Sequence, residues 1–203
     1  PLRRQRQMCI RDRPRLRYVF DVADTATRDA ARNFTLWEMR TEHEAKVCSM
    51  LTEQYDVPAD EGIIAQFERV ADKLALEYWT EQKRDICDIV ADSFLNGYDE
   101  DNIRMAFKTA ASTSITYALM ARCGFSPDGY FEPEDFMPVF DFNTPAAVSV
   151  LGTAVSEISQ RVLRQIEITV KRQERERRAE RTEEHGEQPD LQDQRRISDP
   201  RPE

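Results

Sequence analysis

The chain has 203 residues, 40% of them hydrophobic and 33% charged, with only six glycines and a net charge of −9. That length allows one domain with a core of its own, or one domain and tails, and the composition favours helix over sheet. It excludes a membrane span, since no apolar run approaches the roughly 18–20 residues one requires. The N-terminus is basic but has no apolar stretch behind it, as a secretory signal would.

The charge is unevenly placed. Residues 1–13 hold five arginines and one aspartate, residues 14–170 carry 15 basic and 27 acidic groups, and residues 171–203 carry nine and ten. A central body this acidic repels phosphate and is unsuited to wrapping DNA by itself. Four cysteines, Cys9, Cys48, Cys87 and Cys123, stand far apart without CxxC or CxH spacing. They read as free buried thiols of a reducing, cytoplasmic setting.

Residues 1–13 sit badly on the acidic chain that follows. Back-translated, Met8-Cys9-Ile10-Arg11-Asp12 can be ATG-TGT-ATA-AGA-GAC, which looks like the transposon mosaic end of sequencing libraries. The expectation is that this stretch derives from an adapter and that the biological chain begins near Pro14. A genuine basic arm is the alternative.

Leu16–Thr25 alternates apolar and polar residues and is rich in Tyr, Val and Phe, so it reads as a strand. Phe34–Met39 is a second short strand or the lead into a helix. From Thr41 the period becomes helical through Ala45, Cys48, Leu51 and Tyr55, stopping before Pro58. Another helix is expected to start near Asp60. Its stripe is Ile63, Ile64, Phe67, Val70, Ala71, Leu74 and Tyr78, then Ile86, Ile89, Val90 and Phe94, with Asn96-Gly97 as the stop. The polar run Thr80–Asp85 between the two halves leaves one long helix or two equally open.

Asp99, Glu100 and Asp101 suit the start of the following helix. It carries Ile103, Met105, Phe107, Ala110, Ala111, Ile115, Ala118 and Leu119 and ends at Cys123-Gly124. The stretch Phe125–Pro145 is rich in proline and aromatics and is expected to be a structured loop, with a short helix at Pro133–Met137 and its rings plugging the bundle. Asn143-Thr144-Pro145 opens the last helix. Its apolar face is Val148, Leu151, Val155, Ile158, Val162, Leu163, Ile166 and Val170. Beyond Val170 the sequence still favours helix, with opposite charges interleaved, but is expected to bury nothing; from His185 it reads as disordered linker.

The fold expected is thus mainly α: a small bundle of four or five helices, a short N-terminal β element and a disordered charged tail. Its parts are 1–13, 14–40 (β element), 41–170 (helical domain) and 171–203 (charged helix extension and linker).

Chemistry is sparse. His43-Glu44 lacks the second histidine of HExxH, Val47 standing in its place, and the other histidine, His185, falls in the predicted linker. His43 reads as an exposed first-turn residue. Neither phosphate-cradling glycine loop nor GxSxG elbow occurs. No catalytic residue, cofactor or metal ligand is assigned. The acidic clusters read as helix caps, and Lys171–Arg181 as a solvated helix end.

One resemblance adds to this reading. "PRLRYVFDVADT" resembles the closing strand of the N-terminal, single-stranded-DNA-binding domain of ArdC-type antirestriction proteins. "LWEMRTEHEAKV", "DEDNIRMAFKTAASTSITYALMARCGF" and "FDFNTPAAVSVLGTAVSEISQRVLRQIEITVK" resemble the helical segment after that strand in very large proteins of conjugative elements of gut Firmicutes, which also carry SNF2-like helicase and adenine methylase regions. The resemblance spans about Pro14 to Glu203 and contains no catalytic motif. Most of the DNA-binding domain and the family's HExxH are absent, so neither activity carries over. What it implies is a non-catalytic interaction or spacer module beside a DNA-binding head, reaching DNA through neighbouring domains, with a protein partner. Arg15, Arg17 and Tyr18 are the residues of the matched strand that could touch DNA. Two alternatives stand: an acidic DNA mimic, and a helicase or methyltransferase fragment whose active site lies elsewhere.

Overall fold

The structure, a computed structural model, describes residues 36–58 and 62–186, with side chains through residue 182. Among these residues it contains four α-helices, α1 (Thr41–Tyr55), α2 (Ile63–Val90), α3 (Glu100–Cys123) and α4 (Pro145–Gly186), and a 3-10 helix, Pro133–Phe142. The described residues hold no strand, only an isolated bridge between Asp128 and Phe131. The chain is therefore the mainly α bundle that its composition and periodicity predict. The predicted strand at Leu16–Thr25, residues 1–13 and the tail after Gly186 lie outside the described residues. Residues 36–40 are an irregular lead into α1. From Trp37 onward the described residues fall in one compact unit.

Each helix begins and ends for a local reason. At the start of α1 the His43 Nδ1 accepts the backbone N–H of Arg40 at 3.1 Å, while the His43 N–H donates to Arg40 O at 2.8 Å. The imidazole takes the place that Glu or Gln holds in a capping box. His43 is therefore fully buried, contrary to the exposed position expected of it. α1 stops where Asp56 turns left-handed, with φ 50°.

α2 runs unbroken through Thr80–Asp85. Its buried stripe steps from Trp79 to Ile86, two helical turns, so the polar run between them lies on the exposed face and no bend is needed. The helix ends at Val90, short of the expected Phe94. Ser93 is the cause. Its Oγ donates to Val90 O at 2.7 Å and accepts the Leu95 N–H at 3.2 Å, closing the helix before Asn96-Gly97. The turn then buries Leu95 and leaves Phe94 exposed.

α3 is capped as expected. Asp99 Oδ1 accepts the Asn102 N–H at 2.8 Å. At the other end Gly124, with φ 83°, sends its N–H back to the last turn, and the Phe125 N–H reaches Met120 O at 3.0 Å. α4 starts at Pro145, where Thr144 Oγ1 accepts the Ala147 N–H at 3.2 Å.

α2 and α3 share the most extensive interface, and α4 packs on both. At their centre the ring of Phe107 lies 6.1 Å from Tyr78, 5.8 Å from Trp79 and 6.3 Å from Phe142. Phe142 is the fully buried aromatic of the loop. The others mostly climb the outside of α3: Phe131 and Phe136 gather on Tyr117, while Tyr130 and Phe140 are exposed. The expectation that the loop aromatics plug the bundle therefore holds for Phe142, with Phe125 and Phe131 half-buried against the core.

α4 buries Ala147, Leu151, Ala154, Ile158, Val162, Ile166 and Val170. Val148 and Met105, both assigned to buried stripes from sequence, are exposed. Ala147 takes the inward position beside Val148, and Ala154 the one two turns further on. Past Val170 no described side chain is fully buried, as expected, but the helix makes polar contacts with α1. Gln173 Nε2 donates to Glu42 O at 3.0 Å, Arg177 pairs with Glu42, and Lys46 lies 3.6 Å from Glu176.

Phe107→Ala should cost about 3–5 kcal/mol, because it empties a cavity among three rings. Val148→Ala should stay within about 0.5 kcal/mol. Gly124→Ala should cost about 1 kcal/mol through its left-handed backbone. Urea unfolding followed by circular dichroism measures all three.

Candidate interaction surface

Arg15, Arg17 and Tyr18, the predicted DNA contacts, lie outside the described residues. Among the described residues no group of three His, Cys, Asp or Glu side chains could hold a metal ion, and no helix is long and apolar enough to cross a membrane. Of the thiols, Cys123 is buried as expected, whereas Cys48 and Cys87 are half-buried. Burial pushes the Cys123 thiol up to about 12, against a slight lowering by Arg122. Burial also raises Cys48 and Cys87, helped by Glu44 beside the first and by Glu100 and Asp88 beside the second. None of the three is poised as a nucleophile at neutral pH.

The surface that stands out is built where α2 ends and where α3 and α4 begin. The turn from α2 to α3 is tied to the end of the 3-10 helix by one bond, the Phe94 N–H donating to Asn143 Oδ1 at 2.8 Å. Two aromatics of that turn face solvent, Phe94 at 67% and Tyr98 at 58% exposure, and so does Phe140 of the 3-10 helix at 65%. The two stretches of chain that meet at this junction contain no cation of their own. Residues 85–103 contain no Lys or Arg, and neither do residues 123–160. The carboxylates there include Asp92, Asp99, Glu100, Asp101 and Asp141. Two of them are neutralised: Glu100 pairs with Lys83 of α2 at 2.9 Å, and Asp101 with Arg104 of α3 itself at 3.1 Å. Asp99 is occupied as the cap of α3. What remains is exposed aromatic surface with an acidic border, carried on capped helix ends.

Sequence reasoning missed these residues. Phe94 continued a buried stripe by spacing alone, and Phe140 was grouped with the rings expected to plug the bundle. A signal was present in the long cation-free stretch coinciding with the aromatics.

A second concave feature, an open groove of about 740 Å3, lies between α3 and α4 and is lined by Trp37, Arg122, Val155, Ser159, Leu163 and Arg164 among others. One of its two arginines, Arg122, is already engaged. The Arg122 guanidinium lies 3.9 Å above the Trp37 ring and donates to Trp37 O from both terminal nitrogens at 3.2 Å. The arrangement pins the lead-in segment to α3.

Thiol chemistry gives a direct check. In the folded protein Cys123 should resist iodoacetamide at pH 8 while alkylating on unfolding, as read residue by residue by mass spectrometry. Its raised pKa also carries a sign: stability due to the buried neutral thiol is complete below about 9 and declines as pH climbs from there towards about 12.

Comparison with protein families, with curated proteins and with solved structures finds no match to this chain.

Proposed function

We propose that this chain is a non-catalytic helical interaction module. It docks a protein partner through the face of Phe94, Tyr98 and Phe140, and serves as a spacer in a DNA-processing protein of a mobile element, beside a single-stranded-DNA-binding antirestriction-like domain. The docking half of this reading is carried by the exposed aromatic face. The mobile-element half rests on the sequence resemblance alone.

Large aromatics held in water on well-fixed helix ends give up burial free energy that a partner can recover. Aromatic residues dominate the centres of protein interfaces, and the charge around them selects the partner. Here the border is acidic, so the fitting partner presents apolar side chains flanked by Lys or Arg.

The DNA-mimic reading draws on the same cation-free stretches, which concentrate carboxylates instead of scattering them. It differs in needing the carboxylates and not the rings.

A designed Lys/Leu amphipathic peptide titrated into the full chain, followed by fluorescence anisotropy, tests the docking face. Docking predicts that Phe94→Ser with Phe140→Ser weakens binding at least tenfold with little change in Tm, since both rings are exposed. If Asp92→Asn with Asp141→Asn abolishes inhibition of a restriction enzyme while the double serine variant inhibits normally, mimicry replaces docking. Binding indifferent to both pairs would sink both readings. The purified chain should hydrolyse neither ATP nor peptides, and measurable turnover would overturn the non-catalytic assignment.

A further inference from the structure

Where the extension of α4 meets the N-terminus of α1, Arg40, Glu42, Glu174, Arg177, Arg178 and Arg181 line a hollow of about 270 Å3. Four guanidinium groups face two carboxylates there, so the hollow is cationic in a chain of net charge −9. Glu42 is already taken up by its pairing with Arg177. Arg40 and Arg178 have no carboxylate within ion-pair distance among the described residues. Gathering like charges costs free energy unless an anion joins them.

Two further features lie next to the hollow, and the first points the same way. Arg40 is the N-cap residue of α1, so the first N–H groups of that helix and the positive end of its dipole lie beside the hollow. His43, next to Glu42 in the chain, is fully buried and does not itself line the hollow. Its Nδ1 accepts from Arg40, so its Nε2 bears the hydrogen, and that atom has no hydrogen-bond partner. It lies 3.6 Å from Glu42 Oε1, one of the groups lining the hollow.

We propose that the hollow binds the dianionic phosphate monoester of a small molecule, with Arg40 and Arg178 as its principal ligands and Arg177 shared between Glu42 and the phosphate. Planar guanidinium forks match phosphate oxygens two at a time. The charges of Arg40 and Arg178 together balance one dianion. At about 270 Å3 the hollow is slightly smaller than the usual small-ligand pocket and suits a phosphate with a short appendage. A long polyanion is disfavoured because it would run against the acidic body of the chain. The site goes beyond the docking face and is independent of it. A bound phosphate would join the α4 extension to the head of α1.

Titration calorimetry and thermal unfolding of the full chain at pH 8 and constant ionic strength test this, with inorganic phosphate, adenosine 5′-monophosphate, adenosine and a 5′-phosphorylated 12-nucleotide DNA as probes. The expected result is a rise in Tm with phosphate and with the monophosphate, and none with adenosine. Arg178→Ala should weaken monophosphate binding at least tenfold while leaving the unliganded Tm unchanged, and Arg40→Ala should weaken it comparably. A phosphate effect no larger than that of sodium chloride, or unaltered affinity in both variants, would overturn the site. Binding of the oligonucleotide without binding of phosphate or the monophosphate would overturn the small-molecule assignment.

Discussion

Phe107 has no solvent exposure and meets rings from α2 on one side and from the end of the 3-10 helix on the other. That contact sets the spacing of the longest interface and fixes where the chain between α3 and α4 must end. Phe142 has to reach the Phe107 ring, so Asn143 arrives beside the turn leaving α2, and its side chain can accept from Phe94. The exposed face thus depends on the packing beneath it. Aromatic rings offer large buried area with preferred edge and offset geometries, which lets one residue orient several elements at once.

Much of this was legible beforehand. Capping chemistry is local, so Asp99, Gly124 and Thr144 announced their helix boundaries from sequence alone. The long stripes of α2 and α4 were equally plain. What escaped was decided by partners distant in sequence or by competition among neighbours. His43 looked like a surface residue until its ring proved to be buried and to cap α1. Ser93 gave no pattern, yet its hydroxyl ends α2 one turn early and so sends Phe94 outwards. Met105 and Val148 are apolar residues at the edges of stripes, where periodicity cannot tell the flank of a helix from its inner face. The docking face was illegible for the same reason: its aromatics satisfy a hydrophobic pattern without being buried.

The two surfaces complement each other. Acidic and aromatic groups collect where α2 ends and α3 begins, and arginines collect where α1 begins and α4 extends. The first suits a cationic apolar partner through area and long-range attraction. The second suits a compact anion through directed hydrogen bonds. Both are built from helix termini, where unpaired backbone groups and capping residues concentrate charge. Neither calls for a side chain activated as acid, base or nucleophile.

The attachment of α1 to the α4 extension depends on helical phase. Gln173 and Arg177 stand four residues apart and reach Glu42 together because that interval nearly completes a turn. One residue inserted after Val170 would swing both away by about 100° while leaving the bundle upstream untouched. The stretch between Val170 and Gln173 therefore acts as a rotational coupling, in which residue count matters more than residue identity.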